Sequence, residues 1–377
     1  AKKDDFQRYN GAVRVGTDVT KWLRIYAGAM YSKRLKRYAY ATSSTTADPW
    51  LYLYRWGPTY PMTTEDGDPI RSPASEVAQA NTAYQETNYT SLNGGFNITP
   101  KEHWKINFDF THANQEFINN TPGTRYTARN SWVSPAEKYA PNGARIYVDD
   151  TGQMVPASAP GAMPAWQLRY ETYTAAGSNP DHIYRYASNS QWNTITLNTT
   201  YDLDIANDHK FKFMVGINRV GYKISSNWSQ KAELIDITNP QFDLATGLQT
   251  SGGGANWESQ LGFFGRLNYN YKEKYLLEAN IRYDGTSKFP TSLKWRWFPS
   301  FSAGWRINEE PWMEWAKPVL SALKLRGSWG SIGDQTVSNS LYIPRMTGSQ
   351  STWVIGTARL YQFGTPASVS SIITWQD

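Results

Sequence analysis

The sequence predicts an all-β fold: a transmembrane antiparallel β-barrel of about eleven strands with long extracellular loops. Three observations lead there. Segments of about ten residues alternate apolar with polar side chains, most clearly from Gln260 to Gln335. Tyr and Trp gather at the ends of those segments. The connections between them alternate in length, short then long.

The chain opens with a hairpin. Tyr9–Thr17 puts Tyr9, Gly11, Val13 and Val15 on one face. Asp18-Val19-Thr20 turns it into Trp22–Tyr31, where Leu23, Ile25, Ala27 and Ala29 oppose Trp22, Arg24 and Tyr26. Two alternating runs joined by a tight turn read as a hairpin. Tyr38 to Ala83 keeps no period and reads as a long loop, a kind that is usually functional or disordered. Tyr84–Asn97 and Trp104–Phe117 make the next pair, the second with Trp104, Ile106, Phe108 and Phe110 on one face. Ile118 to Ile183, with seven prolines between Pro122 and Pro180, reads as irregular. Tyr184–Tyr201 and Lys210–Ile224 form a third pair, and Ser225–Asn256, with Gly252-Gly253-Gly254, reads as a loop.

The clearest part follows. Leu261–Tyr271, Tyr275–Tyr283, Trp295–Ile307 and Leu323–Trp329 each alternate, with Lys272-Glu273-Lys274 as a turn and one helical turn within Glu309–Trp315. Ile332 to Ala367 reads as irregular, and Ser368–Trp375 as the start of an eleventh strand. Outer-membrane barrels have short periplasmic turns and longer outer loops, which orients the strands. Two connections depart from that rule: Asp284–Lys294 is outer but short, and Asn308–Ser321 is inner but longer. Open sheet edges are not tolerated in hydrocarbon, so eleven strands are expected to belong to a larger barrel. AKKDDFQRYN has no apolar signal-peptide region, and Trp375-Gln376-Asp377 falls inside a strand-like pattern. Both suit an excerpt of a longer protein.

Composition agrees. Aromatics reach 15% of 377 residues, with 17 Trp and 25 Tyr, a share that suits girdles at two membrane interfaces. Net charge is 38 − 32 = +6, without a block of like charges, so nucleic acid is not a favoured partner. The densest basic cluster, Lys33, Arg34, Lys36 and Arg37, reads as a solvated strand end. With no Cys, disulfide scaffolds, thiol catalysis and Cys-ligated zinc are excluded. No run approaches the ~18 apolar residues of a membrane helix, which does not exclude a barrel.

Catalytic chemistry is not evident. Glu309 and Glu310 are adjacent, so in extended chain their side chains diverge. His103, His112, His182 and His209 lack metal-ligand spacing. The triple glycine lacks the Lys-Ser/Thr of a phosphate loop and reads as flexible. No enzyme, metal or cofactor is expected. The inward polar residues Arg266, Asn268, Glu278, Asn280, Arg282, Arg296 and Arg306 are expected to line the lumen, solvating it or ion-pairing across strands. The loop aromatics Trp50, Tyr52, Tyr54, Trp56, Tyr60, Trp132 and Trp166 are the ligand-contact candidates, because flat rings suit the apolar faces of sugars. Packing within the loops is their other reading.

The blocks NYNYKEKYLLEANIRYDGTSKF, FPSFSAGWRINEEPWM and LKLRGSWGSIGDQ, in that order and spacing, resemble the barrel signature of SusC/RagA-type TonB-dependent outer-membrane transporters of Bacteroidota. RYNGAVRVGTDVTKWLRIYAGAMYSKR and RWGPTYPM resemble an earlier hairpin and the first large outer loop of that family. The resemblance implies a complete barrel of roughly 22 strands enclosing a plug. Residues 1–377 would then be a partial barrel domain, with the plug, the TonB-contacting segment and the C-terminal strands outside it. It further implies outer-membrane nutrient import of oligosaccharides or peptides, a SusD-like surface lipoprotein lid, and energy from the TonB–ExbB–ExbD complex. The inward polar residues would then line the lumen or touch the plug. The alternatives are a soluble or surface all-β glycan-binding module, or a β-rich polysaccharide-degrading enzyme. The first would bury its apolar face, and the second needs a convergent carboxylate pair, which the sequence does not offer.

Overall fold

The computed structural model describes residues 4–40, 59–174, 181–206, 208–316, 318–339, 342–343, 346, 348–355 and 358–363. Ten long strands dominate it: β1 Asp5–Thr20, β2 Leu23–Ala39, β3 Thr82–Lys101, β4 Trp104–Pro122, β5 His182–Ile205, β6 His209–Ala232, β7 Gln249–Tyr271, β8 Tyr275–Thr286, β9 Trp295–Arg306 and β10 Lys324–Gly330. They form one antiparallel sheet in sequence order, each strand hydrogen-bonded to its neighbours in the chain. The expected eleventh strand, Ser368–Trp375, lies outside the described residues.

The register sets an apolar band on one face of the sheet. Paired residues share a face, so the pairing Phe213–Leu267–Ala279–Phe301–Trp329 is a continuous apolar row over five strands. Lys212–Asn268–Glu278–Ser302–Ser328, one residue over, is the opposite polar row. The apolar face is open: Val15 is 66% exposed, Leu277 51% and Phe301 52%. A soluble sheet would cover such a face; a membrane barrel turns it to lipid. Rings mark both borders. Trp104 and Tyr201 pair near the short-turn end, where Tyr271 and Tyr275 stack, as do Tyr275 and Trp305. Tyr283 stacks on Trp295 and Trp297 near the other end. Interfaces favour amphipathic aromatics because the ring is apolar and the N–H or O–H is wet.

The short turns have local causes. Lys272 and Glu273 both take positive φ, 51° and 58°, the primed-turn geometry whose twist matches the flanking strands. Neither is Gly, and ion pairs to the neighbouring turn hold them: Lys272 to Asp208 at 3.3 Å and Lys210 to Glu273 at 3.1 Å. The longer inner connection is two 3-10 turns, Ile307–Glu309 and Pro311–Ala316. Buried Glu310 sits between them and clasps the end of the wall. It accepts hydrogen bonds from Tyr275 Oη at 2.7 Å and Trp305 Nε1 at 2.9 Å, and lies 3.6 Å from Lys274 Nζ. These donors, Tyr275 foremost, hold its carboxyl below the usual glutamate range.

The long connections are more ordered than their sequence suggests. β2 reaches Ala39, and helix α1, Pro73–Gln79, begins at a capping box formed by Ser72 and Ser75. Within the expected irregular stretch from Ile118, the antiparallel pair of Arg125–Asn130 with Arg169–Thr174 stands beside several two-residue strands. The expected loop Ser225–Asn256 is largely ladder, with β6 running to Ala232 and β7 starting at Gln249. The triple glycine is therefore strand. A Cβ at Gly252 would fall 2.9 Å from the Trp228 indole nitrogen, so the bare backbone admits that ring. The stretch after β10 carries the hairpin Gly348–Ile355 with Ala358–Phe363. The basic cluster is a strand end with local partners: Lys33 pairs with Glu86 at 2.9 Å and Arg37 with Asp5 at 3.0 Å.

Two outcomes test this account. Ala279→Arg, midway between the aromatic borders on the apolar face, is expected to cost about 2–4 kcal/mol of folding stability in lipid. Ser302→Arg, on the polar face, is expected to cost less than about 1 kcal/mol, because lumen positions accept charge. Urea titration in vesicles reads both, and equal losses would refute the facing. The second concerns Glu310. Its lowered folded pKa means the clasp contributes fully above the unfolded glutamate value of ~4.3 and is lost as pH falls through the folded value. The thermal midpoint in detergent should drop below pH ~4.3 in the wild type and flatten in Glu310→Gln.

Candidate functional site

The polar face of the last five strands, β6–β10, forms a trough of about 640 Å³. Alternation places its side chains: Asn218 from β6, Glu278, Asn280, Arg282 and Asp284 from β8, Ser300 and Ser302 from β9, and Ser328 from β10. The segment after β10 lines it as well through Ile332, Gly333 and Gln335. That segment is tied down where Ser331 donates its backbone N–H to Pro299 O at 3.0 Å and Lys288 Nζ donates to Gln335 O at 3.4 Å. Behind it, fully buried Phe289 packs with Phe298 and Val337.

Arg282 is the organising cation. Its Nε and one terminal nitrogen donate to the two oxygens of Asp284, each at 2.9 Å, and its guanidinium lies 5.6 Å from the Phe264 ring centre. Gly262 makes that possible. A Cβ there would collide with the Asp284 carboxylate and sit 2.9 Å from the Arg282 guanidinium, so only a bare backbone lets the pair lie against β7. The fork spends two of five N–H donors on Asp284, which leaves three for a solute or another protein surface. Below it Arg266 Nε donates to Asn280 Oδ1 at 2.7 Å, and Asn280 Nδ2 donates to Glu278 Oε1 at 2.8 Å.

The structure thus brings Arg266, Glu278, Asn280 and Arg282 together. Asn268 lines an adjoining concavity of about 410 Å³ with Glu278, Lys324 and Arg326. Arg296 stands opposite Asp284 across the β8–β9 ladder. Arg306 lies at the short-turn end, 3.9 Å from Glu273 and away from the trough. Sequence reasoning missed Asp284, which it assigned to a turn, although it sits two residues past Arg282 on the same face. It also missed the aromatic pairs on the polar face of the outer arms. Trp192 and Tyr222 lie 5.1 Å apart, Phe117 and Tyr186 6.0 Å, and Tyr184 and Trp228 6.1 Å. Continuing the alternation outward beyond the apolar band would have revealed them.

Of the loop aromatics, Trp50, Tyr52, Tyr54 and Trp56 lie outside the described residues. Tyr60, Trp132 and Trp166 are each more than half exposed. Their loops are stapled together. Arg129 bridges to Asp68 at 2.7 and 2.9 Å, donates to Leu168 O at 3.0 Å, and stands 4.9 Å from the Tyr170 ring centre. Trp166 pairs across a short ladder with Glu137, which accepts from Tyr139 Oη at 2.8 Å and forms an ion pair with Arg145. That contact with Glu137 raises the Tyr139 phenol above its usual pKa. Among the described residues no three His, Cys, Asp or Glu side chains converge to hold a metal, and no helix is long and apolar enough to cross a membrane.

Comparison with known proteins places the wall. The TonB-dependent receptor-like β-barrel family model matches residues 22–360. TonB-dependent receptor SusC of Bacteroides thetaiotaomicron is 34% identical over 145 residues, 37% of this chain and 13% of that protein. TonB-dependent receptor P26 of Formosa agariphila is 47% identical over 75 residues, 20% of this chain and 8% of that protein. The solved RagAB peptide transporter superposes with a TM-score of 0.66 at 15% identity, covering 99% of this chain and 37% of the solved one. The matches thus span little more than a third of the solved transporter and less than a sixth of these two receptors. The fold, the family match and the SusC similarity converge: this chain belongs to the TonB-dependent receptor-like β-barrel family and is barrel wall of the SusC/RagA type.

Proposed function

We propose that the protein built on this wall is an outer-membrane importer that takes oligosaccharides or peptides through its lumen. A SusD-like surface lipoprotein closes its outer mouth, and the TonB–ExbB–ExbD complex supplies energy through a plug. The observation that carries this reading is the two-faced register: one apolar row of side chains for lipid, one polar row for water and solute, on every strand pair. Covalent chemistry has no place in it; binding and release do the work. The likeness to the RagAB peptide transporter supports peptides, the family resemblance oligosaccharides as well, and uptake of the two classes distinguishes them.

Two regions are the proposed contacts. The trough offers a guanidinium with spare donors, amides and hydroxyls, which suit either carboxylates and peptide groups or sugar hydroxyls. The lumenal ring pairs of the arms and exposed Tyr60, Trp132 and Trp166 offer flat apolar faces. With them we propose Trp50, Tyr52, Tyr54 and Trp56 as contact candidates. Arg296 and Arg306 are proposed as lumen lining, Arg306 toward the plug side. A soluble glycan-binding module is disfavoured because its apolar residues would be covered, and here they are not.

The test is recovery of the intact protein from outer membranes, identification of its bound lipoprotein and solute, and measurement of uptake. Co-purification of a surface lipoprotein and uptake abolished by deleting TonB are expected; detergent-free monodispersity would refute the reading. Within that assay Arg282→Ala is expected to weaken solute binding about tenfold, the lower part of the range for a charged hydrogen bond, since the side chain is half exposed. Trp132→Ala with Trp166→Ala should lower affinity while leaving the thermal midpoint unchanged. An unchanged affinity in both variants would remove these residues from the solute path.

A further inference from the structure

The outward row of β6 changes character abruptly. Phe213, Val215 and Ile217 face lipid; Arg219 and Lys223 follow on the same face, and both are exposed. Strand geometry puts those two charges about 13 Å apart. Among the described residues neither side chain has a carboxylate, a hydrogen-bond acceptor or a ring as partner. This differs from Lys33 and Arg37 on the outward face of β2, which Glu86 and Asp5 neutralise. Across the ladder from Lys223 stands Trp257, 65% exposed, an interfacial ring at the same height.

The surroundings do not supply a counter-charge. Over the outward faces of β4–β7 the cations are Arg185, Arg219, Lys223 and Lys231, and the carboxylate is Glu116 alone. Glu116 pairs with Asn189, and Asn189 with Ser225, so it stands two strands from β6 and above Lys223. His112, 2.8 Å from Asn193 through Nδ1, continues the polar border at this level on β4 and β5. Cations at the edge of a hydrocarbon band meet headgroups, and an unpaired guanidinium and ammonium there complement phosphate.

We infer that Arg219 and Lys223, with Trp257 beside them, hold the phosphate of a phosphorylated glycolipid in the outer leaflet. The apolar side chains of β6 below them receive its acyl chains. The site rests on the short turns being periplasmic and is independent of what the lumen carries. Each cation contributes roughly fivefold in affinity at a charged membrane surface, so the pair contributes about thirtyfold.

The experiment titrates the detergent-solubilised full protein with lipid A and with dephosphorylated lipid A, with bound lipid counted by native mass spectrometry. Phosphorylated lipid A is expected to bind tightest. Arg219→Gln with Lys223→Gln should bind about thirtyfold more weakly, matching the dephosphorylated lipid on the wild type. Lys105→Gln with Lys212→Gln removes the same charge from the lumen face and should leave binding unchanged. Equal binding of the two lipids, or equal loss in the lumen-face variant, overturns the site. Should the glutamine pair fail to fold, the lipid comparison on wild type decides, together with Arg219→Lys and Lys223→Arg, which must retain binding. No solute is present, so either result leaves the import reading as it stood.

Discussion

Hydrocarbon offers no hydrogen-bond partner, and that one constraint shapes this protein. Every backbone N–H and C=O inside the bilayer must be paired within the protein, or several kcal/mol are lost per group. The chain answers with ten strands joined by nine ladders in strict sequence order and no crossover. Once the ladders are fixed, side chains have one freedom, which face they occupy. The apolar row takes one face and the polar row the other. Burial in the usual sense is then sparse: Phe289 is the one large apolar side chain fully enclosed among the described residues, and it anchors the rim rather than a core.

The membrane-spanning part was legible because lipid enforces alternation. Val13 and Val15, Phe108 and Phe110, and Leu277 to Ile281 all announce their face, and the strands containing them were placed in the right order. Legibility stopped where the bilayer stops. Beyond Ile224 and before Asn256 both faces meet water or other loops, so the period fades while the backbone ladder continues to Ala232 and from Gln249. Gly252-Gly253-Gly254 carries no side-chain signal, and only the packing of the Trp228 ring against Gly252 explains why it is strand.

The polar face was legible in kind and not in arrangement. Parity alone put Arg266, Glu278, Asn280 and Arg282 on one polar face. The partnership of Arg282 with Asp284 depends on Gly262, directly opposite on the neighbouring strand but 22 residues away in sequence, and the closing of the trough by Ile332–Gln335 depends on a tie to Pro299. Arg306 shared the parity and lies elsewhere, because height along a strand is not a property of the alternation. The loop aromatics posed the reverse case. Their composition invited a role, but staples such as Arg129 to Asp68, which order the loops that carry them, leave no trace in composition.

Height along the strands has a consequence of its own. Ile217, Phe263 and Tyr283 stand side by side across β6, β7 and β8. From that common level β6 climbs to Ala232 whereas β8 stops at Thr286, a difference of about 40 Å of strand. This stretch of the rim is therefore bevelled. The tall side of that slope is carried by paired backbone rather than by loop.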